Sequence, residues 1–175
     1  MDKYQLAQYN HQNIQELIRF IDQKAGAILV IYGFIITAYI EFAKDLKFIN
    51  PFELNGFKVF ISLLTFLSSA SLISLLIYQI YIILFEIIRA KKAENYTQEE
   101  SSVLYFDHIS KISKESFITL YKDLPINKSD EELLAQVYEC SCIMSSKSEK
   151  LNSAIIYLFI SILCLLFFIF LTTLL

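Results

Sequence analysis

Residues 154–175 read AIIYLFISILCLLFFIFLTTLL, an uncharged apolar run that reaches the last residue of the sequence. A helix that crosses a bilayer takes about 20 residues of this kind. Two earlier stretches read the same way. Residues 25–42, AGAILVIYGFIITAYIEF, lie near the short end of the range for a span. The apolar run from Phe57 to Ile88 exceeds what a bilayer needs. The membrane is therefore expected to hold Val59 to Tyr78, with the helix continuing into water. The whole chain has 175 residues and is 55% apolar, above the roughly 45–50% of soluble domains. Three glycines and two prolines leave few helix breakers. The expected fold class is an all-α membrane protein: three transmembrane helices, with a small cytoplasmic helical bundle formed by helix extensions and an inserted helical pair.

Orientation follows from the basic residues. Lys3, Arg19 and Lys24 precede the first span, and Lys44, Lys47 and Lys58 separate the first from the second. Nine more lie between the second and third: Arg89, Lys91, Lys92, Lys111, Lys114, Lys122, Lys128, Lys147 and Lys150. In a three-span chain the first and third of these regions share a side, and the positive-inside rule makes that side cytoplasmic. The expected organisation is a cytoplasmic amphipathic helix at 1–24, transmembrane helix 1 at 25–42 and an external loop at 43–57. Transmembrane helix 2 with a cytoplasmic extension follows at 58–88, a cytoplasmic helical region at 89–153 and transmembrane helix 3 at 154–175. The first span does not read as a cleaved signal, because Asp2, Glu16 and Asp22 precede it and no A-x-A site follows.

In the cytoplasmic part, Ile14, Leu17, Ile18, Ile21 and Ala25 mark one face of a helix that runs into span one. Ser129-x-x-Glu132 reads as a capping box, opening a helix from Asp130 to the end of the chain. Leu134, Val137, Ser141, Met144, Ser148 and Leu151 form a polar-diluted seam along it. That seam suits packing on the N-terminal helix or self-association. Thr97-x-x-Glu100 starts a further helix, and Pro125 ends a short one holding Phe117, Ile118 and Leu120.

Enzyme chemistry finds no support. The glycines, Gly26, Gly33 and Gly56, make no phosphate loop, and no serine sits in a nucleophile elbow. Asp107 and His108 are adjacent and diverge on a helix. Cys140, Cys142 and Cys164 lack the spacing of a zinc site and read as small apolar thiols. No cofactor is expected. A net charge of −3 argues against a nucleic acid polymer as partner. Within the spans, Gly26, Val30, Gly33 and Thr37 form a stripe for helix contact, either between subunits or against span two. Ser68, Ser71, Gln79 and Glu86 form a polar stripe on span two. It either lines a pore in an oligomer or bonds backbone carbonyls. Glu86 is placed to pair with Arg89, and Asp22 with Arg19, while Lys24 can snorkel to the phosphates.

The string Ile21-Asp22-Gln23-Lys24-Ala25, leading directly into an apolar helix, resembles the D-x-K-A motif of the Pycsar effector transmembrane family. Leu104-Tyr105-Phe106-Asp107-His108-Ile109 resembles its F-x-x-I segment, and Phe117–Leu120 sits in the short helix that follows. Gln136-Val137-Tyr138, with Lys147 and Leu151, resembles the helix leading into its last span. The resemblance covers nearly the whole chain. It implies an antiphage-defence effector of the bacterial inner membrane that impairs that membrane when a cyclic pyrimidine mononucleotide signals infection. Asp22, Lys24, Phe106, Gln136 and Lys147 would then be architectural or switch residues. Some relatives carry a cyclic-nucleotide-binding domain, for which this chain has no room, and no strand-like alternation is visible. The signal is then expected through a cytoplasmic partner or a ligand site in the bundle. Expected partners are the lipid bilayer, further copies of the chain as a homo-oligomer, and a cytoplasmic sensor or cyclic nucleotide. The competing reading is a membrane-anchored module that recruits or restrains a cytoplasmic partner.

Overall fold

A chain so poor in helix breakers folds into helices, three of them long. The computed structural model describes residues 3–44, 46, 56–92, 103 and 106–175, and of Phe106, Asp107, Ile126 and Asn127 the backbone alone. Helix α1 runs Lys3–Ala43 and α2 runs Phe57–Ile82, continued by a π-helical turn, Ile83–Ile88. Helix α3 is one turn, Phe106–Ile109; α4 spans Lys114–Lys122 and α5 spans Ile126–Thr172. The 41 residues of α1 and the 47 of α5 make rods of about 60 and 70 Å at about 1.5 Å per residue. A hydrocarbon core is about 30 Å thick, so each of these helices is about twice as long as a span. Helix α1, α2 with its π turn, and α5 are each long and apolar enough to cross a membrane.

The chain divides into two compact units. One comprises Met1–Ile21 and Ala90–Ser148, the other Asp22–Arg89 and Glu149–Leu175. Along α1 buried or half-buried positions recur at Ala7, His11, Ile14, Ile18, Ile21, Ala25, Ile28, Tyr32, Ile35 and Tyr39, in alternating steps of four and three. That period favours left-handed packing of helices at shallow angles. Leu17, expected on this face, lies off it and is exposed. Along α5 the same alternation runs through Leu133, Val137, Cys140, Met144, Lys147, Leu151, Ala154, Leu158, Ser161, Leu165 and Phe168.

The expected seam of α5 is thus corrected by one residue at alternate positions. Leu133 and Lys147 are buried, whereas Leu134 is exposed and Ser148 half-buried. Both registers share Val137, Met144 and Leu151. The observed one buries a lysine, which is tolerable because Lys147 has an interaction partner. Three local expectations also change. Ser129 does not cap α5, which begins at Ile126 with Lys128 and Ser129 N–H donating to the Pro125 carbonyl at 3.0 Å. Glu132 instead accepts from Val103 N–H at 3.0 Å. Pro125 precedes α5 rather than ending α4, which stops at Lys122. Helix α4 is capped by Ser113, whose hydroxyl accepts from Ser116 N–H at 3.1 Å. Thr97 and Glu100, the expected start of a further helix, lie outside the described residues, as does most of the loop at 43–57.

Candidate membrane-acting site

The unit built from Asp22–Arg89 and Glu149–Leu175 turns apolar side chains outward. Phe34 is 70% exposed, Phe57 73% and Phe159 63%. Exposed faces this apolar suit lipid and not water. Its interior, by contrast, holds polar side chains: Thr65, Ser69, Gln79 and Ser161 are buried, and so is Tyr32. Two of their four hydroxyls are satisfied within their own helix. Thr65 donates to the Ile61 carbonyl at 2.8 Å and Ser161 to the Tyr157 carbonyl at 2.8 Å, the usual way a hydroxyl is accommodated in a span.

One interior layer ties all three helices. The hydroxyls of Tyr39 and Ser69 lie 2.7 Å apart, and the rings of Tyr39 and Phe168 are 5.1 Å apart, centre to centre. A second layer lies seven residues back along α1 and α5, at Tyr32 and Ser161. The Tyr32 hydroxyl approaches that of Ser161 without reaching hydrogen-bond geometry. The equal spacing makes α1 and α5 parallel and in register. Among the described residues, both polar atoms of the Gln79 amide and the Tyr32 hydroxyl have no hydrogen-bond partner. A buried polar group in that condition costs on the order of 1–3 kcal/mol.

The residues singled out from the sequence fall in different places. Gly33 is exposed, and a side-chain carbon built at Gly26 or Gly33 meets nothing within 4 Å. The stripe Gly26, Val30, Gly33 and Thr37 therefore does not pack against span two of its own chain. It sits one residue round from the buried stripe, on the outer face. Ser68 is half-buried and donates to the Thr65 carbonyl at 3.1 Å, while Ser71 is exposed. Only Gln79 of that polar stripe is fully enclosed. Glu86 and Arg89 do not form the expected ion pair. The wider π turn at Ile83–Ile88 keeps Gln79, Ile83 and Ile87 in line on the buried face at steps of four, and Arg89 leaves the helix with extended backbone. Tyr32 and Ser161 were missed, although the three-four alternation through Ala25, Ile28, Tyr32, Ile35 and Tyr39 carries the signal.

In the other unit, Gln136 lines a half-open cavity of about 750 Å³ together with Tyr4, Gln8, His11, Gln12, Val103, Tyr121, Leu124, Ser129, Asp130 and Leu133. The volume suits a small molecule. Among the described residues the lining carries one carboxylate and neither lysine nor arginine. Burial holds the His11 imidazole below its ordinary value, so it is neutral at pH 7. Burial likewise pushes the Cys140 thiol up, with Glu139 adding to the effect, so this sulfur is a poor nucleophile. Lys147 is buried, Asp22 half-buried and Lys24 exposed, and all three have interaction partners. The Phe106 side chain lies outside the described residues.

A family profile described as PycTM, Pycsar effector protein domain, matches residues 6–174. No curated protein and no solved structure matches the chain.

Proposed function

The chain belongs to the Pycsar effector domain family, and on that premise we propose that it is an antiphage-defence effector that impairs the bacterial inner membrane when triggered. The observation that carries this reading is the inside-out character of its span unit: Phe34 and Phe159 face outward while Gln79, Tyr32 and Ser161 are enclosed. Such a unit is at home in lipid and holds in its interior the polar groups that an aqueous breach would need. In this reading residues 1–24 and 89–153 are cytoplasmic, 43–57 lie outside, and α1, α2 and α5 cross the bilayer, consistent with the bias of lysine and arginine.

The effector works as a homo-oligomer. The outward face of Gly26, Val30, Gly33 and Thr37 lets a second copy approach closely, since among the described residues nothing fills the space at either glycine. The trigger arrives through a cytoplasmic partner. A cyclic nucleotide brings a phosphate, and among the described residues the cavity that Gln136 lines offers it Asp130 and no lysine or arginine. Asp22, Lys24, Phe106, Gln136 and Lys147 act as architectural or switch residues, and no catalytic role is assigned.

The test is plaque formation in bacteria carrying the chain with a pyrimidine nucleotidyl cyclase. The proposal expects fewer plaques than with the cyclase alone, and loss of that protection when Gly33→Leu breaks the oligomer. Full protection by a soluble fragment lacking the spans would overturn it. Titration of the purified chain with cyclic CMP and cyclic UMP is expected to show no saturable binding; saturable binding would return the sensing role to the cavity. Capture of a stoichiometric partner by a chain that stays monomeric and leaves the membrane intact would favour the anchor reading.

A further inference from the structure

Tyr32, Gln79 and Ser161 sit on three different helices of one unit, and each is no more than 1% exposed. Their register follows from the layer formed by Tyr39, Ser69 and Phe168. Seven residues back along α1 and α5 reaches Tyr32 and Ser161, a displacement of about 10 Å. Consecutive spans run in opposite directions, so the same displacement on α2 leads forward from Ser69 to Leu76. Gln79 lies three residues beyond, about 4.5 Å further. Side chains in a helix lean toward its N-terminal end. Gln79 therefore leans back toward the level of Leu76, while Tyr32 and Ser161 lean toward Gln79. The three converge.

What they present in common is specific. The Gln79 amide offers two N–H donors and a carbonyl acceptor, and Tyr32 a hydroxyl, with no hydrogen-bond partner for either among the described residues. The Ser161 hydroxyl spends its proton on the Tyr157 carbonyl and keeps its lone pairs. A guest that both donates and accepts satisfies all three, and it must be small, because Leu72, Ile83 and Phe168 enclose the same interior. None of the three side chains is a carboxylate that would favour a bare cation. We propose that Tyr32, Gln79 and Ser161 form an intramembrane water-binding layer, which becomes the polar lining of the aqueous path when the effector is triggered. The second half rests on the function proposed above. Leu72, Leu76, Ile28 and Ile83 flank the layer along the helices and are buried, so they can hold the path closed by dewetting.

Two measurements test this separately. Solid-state NMR of the untriggered chain in liposomes reads transfer of magnetisation from water. The Gln79 side-chain amide is expected to receive it as fast as an exposed amide, while the backbone amides of Leu72 and Ile83 receive none. A Gln79 signal as dry as that of Leu72 would overturn the water layer. Depolarisation of triggered cells reads the path. Gln79→Leu is expected to slow it at least tenfold and Tyr32→Phe to a lesser extent, with both variants inserted at wild-type levels. Ile77→Leu, on the exposed face of α2, is expected to match wild type. Depolarisation by Gln79→Leu as fast as wild type would overturn the path. Failure of the wild-type chain to depolarise would overturn the proposed function and the path with it, leaving the water layer to stand or fall on the NMR result.

Discussion

The two units bury polar side chains in opposite ways. In the unit of Met1–Ile21 and Ala90–Ser148, Glu139 and Lys147 are enclosed at 5% and 3% exposure, and each has an interaction partner. In the unit of Asp22–Arg89 and Glu149–Leu175, Gln79 is enclosed more completely, and its amide has no hydrogen-bond partner among the described residues. The first arrangement specifies a register: it selects the face of α5 that carries Lys147 over the one that carries Ser148. The second leaves polar atoms to be satisfied by a guest such as water and not by the described residues.

Four substitutions or conditions press on this contrast. Lys147→Met should have the largest effect. It removes the interaction that the buried ammonium makes, at a cost of about 3 kcal/mol, read as a fall in thermal midpoint in detergent; an unchanged midpoint would erase the contrast. Gln79→Leu should move stability far less, by no more than about 1 kcal/mol in the same assay, because the amide and the water that satisfies it are replaced together by an apolar group of similar size. Gly56→Ala should cost about 1 kcal/mol, since the residue before α2 has φ of +60°, a region costly for any residue with a side chain. The smallest effect comes from His11. Its value is lowered in the folded chain, so the unfolded chain binds more protons just below pH 6.5. Stability is then full above that pH and falls as the pH drops through the folded value. His11→Gln should flatten that slope between pH 7 and 5 in a fluorescence-monitored melt.

Much of this architecture is legible in the sequence. Absence of glycine and proline after Pro125 is enough to expect one helix to the end of the chain, and it begins four residues before Asp130. Three runs of apolar residues are enough to expect three helices that could span a bilayer. The finer facing was not legible. On α5, Leu133 and Leu134 are both apolar, and pattern alone prefers Ser148 to a buried lysine. On α1, the small residues Gly26 and Gly33 draw attention to a face that turns out to be the outer one, about 100° round from Ala25, Ile28 and Tyr32. Gln79 could be found by polarity on α2. Tyr32 and Ser161 lie on faces that the three-four alternation marks, but that they share a level with Gln79 could not be read, because each lies on another helix and only the contacts between Tyr39, Ser69 and Phe168 set that level.

Whether this chain acts on the membrane is read by a voltage-sensitive dye in living cells. Bacteria carrying the chain and its cyclase should lose membrane potential soon after infection, while cells lacking either keep it. Sustained potential in infected cells that contain correctly inserted chain and active cyclase would mean that the chain does not act on the membrane.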